Sequence, residues 1–195
     1  ASDVYKRQGT LNADLIDVTY GVTLDLKKDL DIATLQIGGG TMGSNTQASA
    51  VNVGTGVTLT STTGVNLGGA NGQGALAGNL NINGGTAVLA AASFLDGSDS
   101  GITLSGGGTL TMGGDITGTS GTLTLGEGTL NSSAAWTTSV GVALNAASGK
   151  TATVDTTGGD ITLNGAFTGS GNLLKTGTGT LSIGCLLYTS DAADE

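Results

Sequence analysis

The sequence contains no proline, no histidine and a single cysteine, and it is poor in charged and aromatic residues. Charged residues make up 11% of the chain, against about 25% in a typical soluble domain. Low charge combined with moderate apolar content argues against a chain kept disordered by charge repulsion. Glycine is abundant instead, at 37 of 195 residues. This composition points away from an ordinary globular enzyme and favours many short strands joined by tight turns.

Two short tails do not belong with the rest of the chain. Residues 1–8 can be encoded by a DNA element whose reverse complement, read one nucleotide in, encodes Cys185 to Ala192. The tails therefore resemble a sequencing adapter translated in opposite orientations at the two ends of a gene fragment. We treat residues 1–8 and 185–195 as adapter-derived artefacts and residues 9–184 as the authentic segment.

The authentic segment is acidic and contains no cysteine or arginine. Four lysines oppose eleven carboxylates, which gives a net charge of −7. Nucleic-acid binding needs a basic face, so no nucleic-acid partner is expected. Because the only cysteine, Cys185, lies in a tail, neither a disulfide nor thiol chemistry is expected. A segment without cysteine is compatible with an exported protein.

Pairs of apolar residues separated by one residue recur along the segment at steps of 19 to 23 residues. Alternation with a period of two indicates strands with one buried and one solvated face. The pairs are Leu35/Ile37, Val57/Leu59, Leu80/Ile82, Ile102/Leu104, Leu123/Leu125, Val142/Leu144, Ile161/Leu163 and Leu181/Ile183.

A glycine-rich corner of three or four residues follows several of these pairs, and a second strand that opens with threonine comes next. Glycine suits such corners because it takes positive φ without a Cβ clash. Asparagines at strand ends, such as Asn83 and Asn145, tolerate the same left-handed conformation. The opening threonines are Thr41, Thr86, Thr109 and Thr129.

A rung of about 20 residues cannot bury enough apolar surface to fold alone, whereas stacked rungs share one continuous core. The sequence therefore predicts an all-β parallel β-helix (β-solenoid) of about eight rungs. The alternative is a two-sheet sandwich, which predicts hairpin turns and no fixed step.

The last repeat resembles a known family. Residues 169–183 read Gly-Ser-Gly-Asn-Leu-Leu-Lys-Thr-Gly-Thr-Gly-Thr-Leu-Ser-Ile. This is similar to the autotransporter-associated β-strand repeat, in which G-x-G-x-L-x-K-x-G-x-G-x-L-x-L recurs. Residues 108–112 and 121–125 match more loosely. The resemblance implies a right-handed β-helix that is secreted or displayed at a Gram-negative outer membrane, through a C-terminal barrel outside this segment.

Acidic residues provide two candidate sites. Asp96 and Asp99 could place two carboxylates near a calcium ion, but the calcium-binding nonapeptide of β-rolls is absent, so a solvated turn is favoured. Asp115 and Asp160 lie in near copies of one motif. They could form an acid pair for glycoside cleavage, although copying within a solenoid also explains both of them.

Other motifs favour structural roles. The runs at 38–40 and 106–108 lack the spacing and helix of a phosphate loop and favour corners, so no cofactor is expected. Trp136 and Phe167 could stack on a sugar ring, but filling of the solenoid core is the preferred interpretation. The mixed charges over 25–31 indicate an exposed edge or loop.

Together these features predict a non-catalytic structural or adhesive stalk that binds a host-surface or glycan ligand through its exposed faces. Uncapped sheet ends predict self-association. The alternative is a fragment of a carbohydrate-active β-helix enzyme, a lyase or hydrolase. A third hypothesis is calcium-dependent assembly.

Overall fold

A computed structural model describes residues 12–39, 47–69, 76–95, 99–118 and 120–186. Over these residues the chain forms β-strands and no helix, and hence no helix long and apolar enough to cross a membrane. The strands are β1 (Asn12–Val18), β2 (Thr23–Leu26), β3 (Leu30–Ile37), β4 (Ser49–Gly54), β5 (Thr58–Leu67), β6 (Gly78–Asn83), β7 (Thr86–Leu89), β8 (Ala92–Phe94), β9 (Gly101–Ser105), β10 (Gly108–Met112), β11 (Ile116–Thr117), β12 (Thr122–Leu125), β13 (Gly128–Ser132), β14 (Trp136–Thr138), β15 (Gly141–Asn145), β16 (Thr151–Asp155), β17 (Ile161–Ser170), β18 (Asn172–Thr176) and β19 (Leu181–Leu186).

The chain winds past three faces, and each turn pairs with the turns before and after it. Every pairing between the described strands is parallel, which excludes the sandwich alternative. Face A stacks β2, β4, β6, β9, β12, β15 and the second half of β17. Face B stacks the first halves of β3 and β5, then β7, β10, β13, β16 and β18. Face C stacks β1, the second halves of β3 and β5, then β8, β11, β14, the first half of β17 and β19.

Identical inward positions of successive turns lie over one another and form the core. On face A, Val53, Ile82, Leu104, Leu125 and Leu144 are successive partners in register, and all of them are buried. Burial of an aliphatic side chain contributes roughly 1.5–3 kcal/mol. Since each side chain also covers the one below it, a turn is stable only as a member of the stack. The predicted parallel β-solenoid is therefore confirmed.

The solenoid has about six turns between β2 and β17, so the predicted number of about eight rungs of 19–23 residues is slightly too high. The repeated apolar pairs do not all lie at equivalent positions. Leu35/Ile37 lies on face C and Val57/Leu59 leads into face B, whereas Leu80/Ile82 lies on face A. On face A, Asp25 and Asn52 are 27 residues apart, and Asn52 and Asn81 are 29 apart. These early turns are longer because they contain residues 40–46 and 70–75, which lie outside the described segments.

Glycines occur in every corner between face A and face B from β4 onward, as predicted, and the corners after β6, β9 and β12 are two residues long, shorter than predicted. Gly106 and Gly107 join β9 to β10 with φ values of 58° and 78°. The expectation for asparagine is not met, since Asn83 and Asn145 end their strands in extended conformation. Tyr20 is the only non-glycine residue with positive φ among the described residues. The left-handed step falls on glycine because glycine carries no Cβ that would clash.

Strand β19 continues into the segment assigned to the second tail. Cys185 and Leu186 pair with Ala166 and Phe167 of β17. Backbone pairing of this kind requires no particular side chain, so the strand crosses the boundary at residue 184 without interruption. The first tail and residues 187–195 lie outside the described residues.

We predict that Gly128→Ala destabilises the solenoid and that Gly54→Ala does not. A Cβ at Gly128 would lie 2.6 Å from the carbonyl oxygen of Gly108 and 2.8 Å from Leu104 Cγ, whereas a Cβ at Gly54 meets nothing within 4 Å. Overpacking of this kind costs about 1–3 kcal/mol. Urea unfolding followed by circular dichroism measures both variants. Equal stability of the two variants would contradict the predicted stacking at this corner.

Candidate binding surfaces of the solenoid

Outward positions form rows along the stack, and the most regular row consists of threonines on face B. Five threonines are successive partners in register, and no register shift interrupts the row. Each threonine is half-buried, and its hydroxyl makes no hydrogen bond with another described residue. We call this set the threonine row: Thr58, Thr86, Thr109, Thr129 and Thr153.

The row two residues further along face B is mixed. It contains two threonines, one valine, one asparagine and one aspartate, and Asn131 donates weakly to Thr111, with Nδ2 3.5 Å from Oγ1. Only the threonine row keeps one residue type over five strands. The members of the mixed row are Thr60, Val88, Thr111, Asn131 and Asp155.

Face A carries a short ladder of amide and carboxylate side chains. Asn52 Nδ2 donates to Asp25 Oδ1 at 2.7 Å, and Asn81 Nδ2 donates to Asn52 Oδ1 at 2.9 Å. The row continues as Thr103, Thr124 and Ala143, so its chemistry changes halfway along the stack. Since the ladder satisfies its own polar groups, it offers fewer open donors and acceptors than the threonine row does.

Three aspartates bind backbone amides of the following turn. Asp29 Oδ1 accepts from Thr58 N at 2.7 Å, Asp115 Oδ1 from Thr137 N at 2.8 Å, and Asp160 Oδ1 from Thr180 N at 2.7 Å. A carboxylate accepting a backbone N–H is a strong, charge-assisted hydrogen bond. These side chains therefore fasten one turn to the next.

The predicted acid pair has this structural role. Asp115 and Asp160 precede β11 and β17, and β14 lies between those two strands. Two strand spacings are about 10 Å, the upper limit for the paired carboxylates of a glycosidase. Both carboxylates are engaged with main-chain amides, as expected for copies of one structural motif.

Among the described carboxylates, Asp155 has a pKa that the folded structure clearly lowers. Hydrogen bonds from the Thr157 hydroxyl and from Thr157 N, at 2.6 and 2.9 Å, lower the pKa of Asp155, and the positive charge of Lys175 lowers it further. The ammonium group of Lys175 itself donates to the carbonyl oxygen of Gly177 at 3.0 Å. The cluster organises the corner after β16.

The calcium candidate is not assembled by the described residues. Asp99 is exposed next to β9, and Asp96 lies outside the described segments. Among the residues that the structure describes, no group of three or more histidine, cysteine or acidic side chains could hold a metal ion. Calcium-dependent assembly therefore stays a hypothesis.

The two candidate sugar-stacking aromatics point into the protein. Trp136 is 3% exposed and belongs to the core of face C, and Phe167 is partly buried against the same core. The Trp136 Nε1 atom is buried without a hydrogen-bond partner in the described structure. Trp136 therefore presents no ring face to solvent, whereas Phe167 keeps part of its surface accessible.

A shallow groove of about 210 Å³ lies on face C. Gly64 lacks the side chain that would fill it, and Thr34, Asn66 and Ser93 contribute polar groups to its walls. No ionisable residue is among the described residues that line the groove. It can accept hydrogen bonds from a neutral molecule, but it supplies no acid or base.

Charged side chains are concentrated at corners. In the mixed-charge segment, Lys27 Nζ lies 4.0 Å from Asp25 Oδ2, and both side chains are largely exposed, as predicted. Lys150 Nζ lies 2.9 Å from Glu127 Oε1 in the preceding turn. Exposed pairs of this kind contribute about 0–1 kcal/mol to stability. They therefore add little to the stability of the fold.

No protein-family model matches the chain, and no curated protein or solved structure matches it either. Sequence reasoning missed the threonine row and the amide-binding aspartates because their partners are separated by a whole turn. Recurrence of threonine directly after glycine at Thr86, Thr109 and Thr129 was the available signal for the row.

We predict that Asp115→Ala lowers stability by about 1 kcal/mol, the net value of one hydrogen bond, because Thr137 N loses its acceptor. Asp17→Ala is the matched control, since Asp17 is exposed and makes no hydrogen bond with the described residues. Thermal unfolding monitored by circular dichroism compares the two. A similar melting temperature for both variants would show that Asp115 does not fasten the turns.

Stability should also depend on the charge of Asp155. Because folding lowers its pKa, its contribution is present above the unfolded pKa and is lost as the pH falls through the folded pKa. We expect Asp155→Asn to be less stable than the original chain at neutral pH and equally stable in strong acid. Urea unfolding across this pH range measures the difference, and a constant difference at every pH would contradict the assignment.

Proposed function

We propose that this chain is a structural or adhesive stalk segment of an autotransporter-like surface protein. The observation that carries the proposal is the uninterrupted parallel stack, in which one core runs through about six turns. A stack of this kind transmits length and rigidity because every turn contacts only its neighbours. At about 4.8 Å per turn, six turns extend the chain by nearly 30 Å.

The repeat motif supports the proposal because its residues occupy most of one turn of the solenoid. Residues 169–183 cover the end of β17, the corner at Gly171, strand β18 on face B, the next corner and the first half of β19. Gly177 has a φ of 78° and packs against Thr157 N, and Gly179 packs against the carbonyl oxygen of Thr156. The glycine spacing of the motif therefore matches the corner geometry of a stacked turn.

Lys175 of the motif occupies an inward register position. It pairs with Val154, and the row below contains Leu130, Leu110 and Ala87. Lys175 is exposed in this turn, and its ammonium group bonds to main-chain carbonyls of the corner. We infer that a further turn over this position would enclose the aliphatic part of Lys175 while its charge stays at the corner.

In the proposed setting the protein is secreted and stays at the Gram-negative cell surface, anchored by a barrel elsewhere in the parent protein. Binding of a host-surface or glycan ligand would use the exposed faces. The open sheet ends of the isolated segment carry unpaired backbone groups, which favours end-to-end self-association.

The complete reading frame tests this proposal. We expect it to encode further turns with the same alternation and glycine corners, together with a C-terminal barrel. Surface exposure is measured by protease treatment of intact cells that express the full-length protein. A frame that instead contains an insertion with clustered aspartate, lysine and arginine, and a product that cleaves polysaccharide, would favour the alternative carbohydrate-active enzyme.

A further inference from the structure

The threonine row is a one-dimensional array with a regular step. Neighbouring strands lie about 4.8 Å apart, so the row presents one threonine per strand over roughly 20 Å. The mixed row beside it, about 6.8 Å away along each strand, adds threonine only at Thr60 and Thr111, on strands separated by β7, and ends in Asp155. No register shift interrupts the strand pairings along either row.

The side chains of the threonine row are held in place by the core residues beside them. Each threonine of the row is flanked along its strand by a buried residue of the core, such as Leu59, Leu110 or Leu130. Threonine is β-branched and therefore has few χ1 rotamers. Both sides of every inner strand are hydrogen-bonded to neighbouring strands. The methyl and hydroxyl groups consequently form a pre-organised array, and little conformational entropy is lost when a ligand binds it.

The chemistry of the row indicates a neutral, periodic ligand with hydrogen-bonding groups. The row carries no charge, although the chain as a whole has a net charge of −9. Its five hydroxyls have no hydrogen-bond partner among the described residues, and all five residues are half-buried. A charged polymer would find no complementary group there, whereas ordered water satisfies the hydroxyls and covers the methyl groups.

We propose that face B binds ice through the threonine row. The step of about 4.8 Å along the row is close to one repeat of the oxygen atoms on the prism planes of hexagonal ice. The methyl groups restrict the orientation of adjacent water, and the hydroxyls anchor that water by hydrogen bonds. Each contact is weak, but the five are presented together on a rigid face, so they act as one multivalent site.

A crystalline polysaccharide is the competing periodic ligand, and the structure favours it less. Sugar rings bind best to exposed aromatic faces, but Phe94 and Trp136 are buried and Phe167 is partly buried. Tyr20 is 48% exposed, but it lies at the corner between β1 and β2. None of the described aromatic residues lies on face B.

The full 195-residue chain should inhibit ice recrystallisation and partition into a slowly growing ice hemisphere. Thr109→Lys places a long charged side chain in the centre of the row and should abolish both effects. Thr124→Lys is the matched control, because Thr124 is also a half-buried outward threonine but lies on face A in a row that includes Asp25 and Asn52. Circular dichroism melting establishes that both variants fold.

Two conservative variants separate the proposal from a general effect of surface charge. Thr109→Val keeps the methyl group and the shape but replaces the hydroxyl by a second methyl group, and Thr109→Ser keeps the hydroxyl but loses the methyl group. We expect the serine variant to lose more ice activity than the valine variant does, because the methyl groups order the water.

Three results would overturn the proposal. They are an original chain without effect on ice, equal loss of activity in Thr109→Lys and Thr124→Lys, or retention on crystalline cellulose or chitin that depends on Thr109 while ice is unaffected. The inference does not depend on the autotransporter-like assignment, because the reading frame and the ice assays are independent measurements.

Discussion

In-register hydrogen bonding between successive turns is the constraint on which the rest of this structure depends. Every described strand inside the stack shares its backbone donors and acceptors with the turn before and the turn after. Because the side-chain period of a strand is two, a slip by one residue would turn the whole apolar set to the solvent. The core rows and the surface rows are therefore consequences of the same register.

Polar groups that help to hold the register are found mainly at the corners. Ser132 and Thr156 are buried there, and their hydroxyls donate to the carbonyl oxygens of Gly159 and Gly179 at 2.8 Å. The carboxylates of Asp29, Asp115 and Asp160 perform a related task at the surface by accepting amides of the following turn. Buried polar groups cost free energy unless they are paired, and each of these hydroxyls has its partner in the next turn.

The same constraint shapes what the protein can do. A solenoid offers no deep cleft, so its chemistry is spread along rows instead of being collected at one site. The aspartates that resemble a catalytic pair are engaged with the main chain, and the groove on face C has neutral walls. Periodic, neutral and rigid surfaces are suited to extended ligands or to display. A stalk with an ice-binding face would combine display with the binding of an extended ligand, without any catalytic group.

The sequence by itself determined that strands alternate buried and solvated residues, that glycines turn the corners, and that the strands stack in parallel. Alternation and corners are local features, since alternation has a period of two residues and a corner needs only its own glycines. Parallel stacking follows from the repeat, because a turn of about 20 residues is stable only when neighbouring turns cover it. The tertiary structure decided the number of turns and the face on which each pair lies. Leu35/Ile37 and Leu80/Ile82 look alike in sequence but belong to faces C and A. The threonine row and the amide-binding aspartates were likewise decided by tertiary structure, because pairing joins residues a whole turn apart and turn length varies along the chain.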